Sequence, residues 1–92
     1  MRYTWKPEKN LQNIAKHGVA FADVVAIFDG LTIERVDDRF EYGEVRVQAI
    51  GLVNGMEFTV VYTDHDGDTR HIITAWRALP HERRYYWKNV QV

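Results

Sequence analysis

An Asn54-Gly55 pair stands between two β-rich runs, residues 45–53 and 56–63, and it restricts the fold more than any other feature of the chain. Both residues tolerate the positive φ of a type I′ turn, so the two runs are predicted to close into an antiparallel hairpin. A second turn, Asp64-His65-Asp66-Gly67-Asp68, leads directly into a further strand over 69–77. Residues 31–36 read as a strand ahead of the hairpin, with 37–43 as a polar loop between them. Tyr3-Thr4-Trp5 reads as a short edge strand.

Helical spacing dominates before residue 31. Pro7 suits a first helical turn, Glu8 complements its dipole, and Gly18 is a left-handed stop, which predicts a helix over 7–17 with Leu11, Ile14 and Ala15 as its buried stripe. Phe21, Val24, Val25 and Phe28 recur at i, i+3, i+4 and i+7, giving a second short helix that closes at Asp29-Gly30. Ala20 is a poor cap for it. A closing helix is predicted over 80–88. The class is therefore α+β: two N-terminal helices, a small antiparallel meander and a C-terminal helix. Ninety-two residues, 1–92, suit a single domain around one core.

Composition narrows the function classes. Hydrophobic residues at 46% and charged residues at 27% are ordinary globular usage, which excludes a disordered chain. Without cysteine there is neither a disulfide framework nor a thiolate zinc site, and no metal or other cofactor is expected. No signal-peptide core and no apolar run of about 18 residues is present, so a cytoplasmic chain without membrane contact is expected. The net charge of −1 is unevenly spread: +1 over 1–30, −6 over 31–69 and +4 over 70–92. That pattern permits a basic surface built from the two ends.

The residues suited to phosphate chemistry lie far apart in the chain. Arg46 interrupts a valine-rich strand, where a charge is either solvent-facing and paired or held for function. Lys16 and His17 end the first helix, where positive charge also serves simply as a complement to the helix C-terminus. Arg70 and His71 open a strand beyond an acidic turn, so pairing with Asp66 or Asp68 competes with phosphate binding. Glu82, Arg83 and Arg84 read as a solvated, salt-bridged helix face. Trp5 and one of Tyr85 or Trp87 are expected in the core, because a chain this small needs its large side chains inside.

Four ordered segments carry a resemblance. They are Trp5-Lys6-Pro7 with Lys9, Asn10, Lys16-His17-Gly18 and Phe21; Gly43-Glu44-Val45-Arg46 with Ala49-Ile50-Gly51; Val60-Val61-Tyr62-Thr63; and Arg70 through Ile72-Ile73-Thr74-Ala75 to Ala78, then Glu82-Arg83 and Tyr85. Together they resemble the BrnT family of ribonuclease toxins. The resemblance implies a RelE-like fold and a toxin of a type II toxin–antitoxin system. It implies metal-independent RNA cleavage that inhibits translation, and neutralisation by a BrnA-like ribbon-helix-helix antitoxin through which alone operator DNA is engaged. On this reading Arg46, Arg70, Arg77 and His17 are the candidate catalytic residues, and Lys16, Tyr62, Trp76 and His71 the candidate substrate-binding residues. Arg46 and Arg70 are expected within reach of one concave, phosphate-sized site.

Two positions depart from the family pattern. Lys6 stands where the family has Asp, and Thr74-Ala75-Trp76 where it has Ser-Ala-Arg. Arg77 is adjacent to the missing arginine, but consecutive strand residues face opposite ways, so it substitutes only if a bulge or the strand end turns it round. Trp76 then either offers a base-stacking platform or closes the site. The alternative function is a catalytically weakened homologue that binds its antitoxin and co-regulates its operon.

Overall fold

Asn54 and Gly55 both adopt positive φ, 51° and 77°, and close an antiparallel hairpin in which Val53 lies opposite Met56. A computed structural model describes residues 1–39, 41 and 43–90. The predicted loop over 37–43 includes Phe40 and Tyr42, which lie outside the described residues. Five strands, β1 (Arg2–Thr4), β2 (Ile33–Val36), β3 (Val47–Val53), β4 (Met56–His65) and β5 (Thr69–Arg77), form one sheet in the order β1-β5-β4-β3-β2. The helices are α1 (Pro7–His17), α2 (Phe21–Val24), which tightens into a 3-10 segment Val25–Asp29, and α3 (Pro80–Asn89). The turn before β5 places positive φ at Asp66 and Gly67, and β4 extends to His65 because Asp64 and His65 pair with Arg70 and Thr69 across it.

The sheet is mixed, which corrects the expected antiparallel meander. β1 lies parallel to β5, with Arg2, Tyr3 and Thr4 opposite Thr69, Arg70 and His71. Hairpin turns report which consecutive strands pair, but they carry no information about where an isolated N-terminal strand docks. β1 also ends at Thr4, so β5 is covered only as far as His71 and its outer edge lies open beyond that point.

Helix α1 fills that gap, which overturns the predicted stripe. Leu11 and Ile14 are 66% and 41% exposed, Ala15 is also exposed, and the buried residue of α1 is Asn13. An open strand edge presents backbone N–H and C=O groups that need polar partners. The Asn13 amide supplies them: its Nδ2 donates to the carbonyls of Ala75 (2.9 Å) and Val19 (2.8 Å), while its Oδ1 accepts from the Ala75 N–H (3.1 Å) and the Thr74 hydroxyl (3.0 Å). Gly18, at φ 70°, then ends the helix as predicted.

Two cores sandwich the sheet. On one face Phe21, Val24 and Ile27 pack against Ala49, Val60, Tyr62, Ile72 and Ala75. On the other, α3 covers Ile50 and Ala78 with Tyr86. Tyr86 is therefore the core aromatic of α3 rather than Tyr85 or Trp87, which are exposed; Trp5 packs edge-on against Phe21. The i, i+4 partner of Tyr86 is Glu82, and it too is buried, contrary to the solvated face expected for it.

The 3-10 segment seats directly on Gly51. A Cβ there would stand 2.8 Å from the Ile27 Cβ and 3.3 Å from the Ile27 carbonyl oxygen, neither of which moves without shifting the segment. Gly51→Ala is expected to destabilise the protein by about 1–3 kcal/mol, the usual cost of overpacking. Urea denaturation measures it, and an unchanged midpoint would mean that the segment is loosely seated.

Candidate functional site

The ends of α1 and β5 meet at a surface cavity of about 440 Å³ lined by Lys16, His17, Trp76, Arg77 and Leu79. A smaller cavity of about 170 Å³ shares Lys16 and His17 with it and adds Lys9, Gln12, Ile73 and Thr74. The sequence places Lys16 and His17 in the last turn of a helix stopped by Gly18, so both side chains leave the helix at its C-terminal end, where positive charge is favourable. Trp76 and Arg77 are consecutive and pair with Thr59 and Phe58, hence they point to opposite faces of the sheet. They nevertheless border one cavity. The cavity lies at the open edge of β5, and an edge is reached from both faces.

Within this cavity the His17 and Trp76 rings lie 6.0 Å apart between centroids, tilted by 44°. Trp76 donates its indole N–H to Glu82 Oε1 at 2.9 Å. Arg77 is loosely held: its Nη2 stands 3.4 Å from Glu57 Oε1, and its side chain is 45% exposed. Glu57 also accepts from the Trp87 indole at 2.7 Å, and that hydrogen bond is the main reason its carboxyl lies below the usual range. The cavity thus offers a permanent cation, an ammonium, an imidazole and an aromatic ring, contributed by two pairs of consecutive residues from α1 and β5.

Arg70 and Tyr62 belong to a different cluster. Arg70 makes a two-pronged bond to Asp64 (2.8 and 3.0 Å), its cross-strand neighbour, rather than to Asp66 or Asp68. Its guanidinium also lies 4.0 Å from the Tyr62 ring centre and 4.7 Å from that of Phe28. The Asp64 hydrogen bonds raise its pKa further. The Tyr62 ring is buried and its hydroxyl donates to Glu34; burial first, then Glu34, pushes the phenol well above its usual range. Enclosed by Phe28 and Arg70, the Tyr62 ring has no open face for a base. A phosphate reaching Arg70 would have to displace Asp64.

The remaining two candidates stand apart again. His71 Nδ1 lies 2.9 Å from the Thr4 hydroxyl and its ring 6.1 Å from that of His65; burial, and then the neighbouring His65 and Lys6, hold its pKa below the ordinary value. Arg46 sits beside Glu44 at 3.3 Å and lines a cavity with Asp37, Asp38, Glu41 and Glu44, which does not include Arg70. Four carboxylates there make a poor environment for a phosphodiester. Among the described residues no cluster of three His, Cys, Asp or Glu could hold a metal ion, and no helix is long and apolar enough to cross a membrane.

Two residues that organise the site were not singled out for it from sequence. Asn13 joins α1 to β5, and nothing in a lone helical asparagine announces this. Glu82 did carry a signal: following Leu79-Pro80, it holds the N3 position of a helix start, where a Glu reaches back to the cap N–H, as its Oε1 does to Leu79 at 2.7 Å.

A small α+β protein with a cation- and imidazole-lined cleft at a sheet edge has the means to handle a phosphodiester. A family model described as the ribonuclease toxin BrnT of type II toxin–antitoxin systems matches residues 5–82, and the chain belongs to that family. Its structure is similar to the crystal structure of the Brucella abortus ribonuclease toxin BrnT, with 28% identity and a TM-score of 0.66 over 86% of this chain and 97% of that one. No curated protein matches the chain. Membership implies an RNA target and an antitoxin partner.

Proposed function

We propose that this toxin is a metal-independent endoribonuclease whose reaction site is the cavity between the end of α1 and the edge of β5. The observation that carries the reading is the meeting of Lys16, His17, Trp76 and Arg77 at one cleft from segments about sixty residues apart in sequence. Among the described residues its lining is cationic, with imidazole and no carboxylate, which suits transesterification. His17 takes the proton of the ribose 2′-hydroxyl; the 2′-oxygen attacks phosphorus; Arg77 and Lys16 stabilise the charge of the phosphorane. The bond to the 5′-oxygen breaks, that oxygen receives a proton from the Lys16 ammonium, and a 2′,3′-cyclic phosphate remains. Cleavage of messenger RNA by this route inhibits translation. A BrnA-like ribbon-helix-helix antitoxin, carrying the operator contacts, neutralises the toxin by covering these cations.

The test is incubation of the purified chain with single-stranded RNA in EDTA. Cleavage is expected to persist and to leave cyclic phosphate ends. Arg77→Ala should lower turnover by roughly 10²- to 10³-fold, as removal of one transition-state donor does. Arg46→Ala serves as the remote control and should leave turnover nearly unchanged. Activity that disappears in EDTA and returns with magnesium would overturn the mechanism. A chain that binds antitoxin and cleaves nothing would instead support the weakened, regulatory homologue.

A further inference from the structure

Glu82 is 4% exposed and, among the described residues, has no ion-pair partner. Three neutral donors converge on its Oε1 instead: the Thr59 hydroxyl at 3.0 Å, the Trp76 indole at 2.9 Å and the Leu79 backbone N–H at 2.7 Å. Taking a carboxylate out of water is costly, and such donors are what offset it. Thr59 is fully buried on β4 and Leu79 is backbone, so both fix the carboxylate. Of the three, only the indole belongs to a side chain with a ring at the cavity. The bond therefore selects one orientation of the Trp76 ring, the one that stands against His17.

We propose that Trp76 is the platform on which one unpaired base stacks beside the scissile phosphate, that Glu82 is the positioning residue that locks the indole there, and that the substrate is accordingly single-stranded RNA. This rests on the cavity being the RNA site. An aromatic face flanked by Lys16 and Arg77 is the arrangement that holds single strands, because every base has a π-face and the cations follow the backbone. A base inside a duplex is stacked on both sides and has no face to offer. The alternative, that Trp76 merely closes the site, predicts no role for its ring in binding.

The experiment measures binding of a fluorescent 2′-deoxy single strand, which lacks the attacking hydroxyl, and of its duplex, alongside KM and kcat on single-stranded RNA. Trp76→Ala is expected to weaken single-strand binding and raise KM on the order of tenfold or more, with little change for the duplex and a smaller change in kcat. Glu82→Gln keeps an accepting oxygen and should bind like wild type. Glu82→Leu should weaken single-strand binding severalfold, and Glu82→Leu with Trp76→Ala should bind no worse than Trp76→Ala alone. Trp76→Phe removes the donor while leaving Glu82 in place, and carries the same test if Glu82→Leu does not fold: it should lie between wild type and Trp76→Ala. Equal affinity for strand and duplex, wild-type binding by Trp76→Ala, or losses that multiply in the double variant would each overturn the proposal. Binding that behaves as expected without any cleavage would overturn the reaction chemistry alone and leave the platform standing.

Discussion

His17→Ala is expected to lower RNA cleavage by about 10²- to 10⁴-fold, the contribution of a positioned proton-transfer group. The imidazole leaves the last turn of α1, lies against Trp76 and lines the same cavity as Lys16 and Arg77. No other imidazole lines that cavity. A purely structural His17 would behave differently. A cationic residue at an exposed helix C-terminus contributes only about 0.3–1 kcal/mol of stability, so a capping role predicts a small fall in denaturation midpoint and unaltered turnover. Measuring kcat and urea unfolding on the same variant separates the two, and wild-type turnover would remove His17 from the mechanism. His71→Ala is the matching control, since that imidazole contacts Thr4 and His65 rather than the cavity.

The largest effect on stability is expected at Asn13. Replacing it by leucine removes four hydrogen bonds at once and leaves the Ala75 N–H and C=O and the Val19 carbonyl facing an apolar side chain. Each buried polar group left without a partner costs roughly 1–3 kcal/mol, so a loss of about 3–5 kcal/mol is expected, a large share of the ~5–15 kcal/mol typical of a folded domain. Asn13→Asp should also destabilise: it keeps the acceptor toward the Ala75 N–H but turns a second oxygen toward two carbonyls. Since α1 carries Lys16 and His17, either variant should lose cleavage as the helix leaves the strand edge. Chemical denaturation decides the point, and a loss below about 1 kcal/mol for Asn13→Leu, the scale of a single ordinary hydrogen bond, would mean that α1 is held by something other than this amide.

Local chemistry made much of the chain legible. Asn54-Gly55 and Asp66-Gly67 specify turns through φ, and Pro7 with Gly18 bounds α1, because these depend on a few neighbouring residues and on backbone sterics. The ordered motifs, from Trp5 to Tyr85, likewise pointed to the BrnT family, whose model matches residues 5–82. Periodicity, by contrast, misread α1. Leu11, Ile14 and Ala15 do form a stripe, but α1 lies against a strand edge rather than a sheet face, and an edge calls for an amide in place of an apolar side chain.

The candidate site divides in the same way. The sequence supplied the residue types, and Lys16, His17, Trp76 and Arg77 were among them; only the tertiary structure brought those four to one cavity and left Arg46, Arg70, Tyr62 and His71 elsewhere. Alternation along β5 argued that Arg77 could reach the site bordered by position 76 only at a bulge or at the strand end, since neighbours in a sheet interior face opposite ways. β1 stops at Thr4, so the end of β5 is an edge that solvent reaches from both faces. Where β1 docks and how far it runs is set by long-range pairing, and no local pattern near residue 76 encodes it.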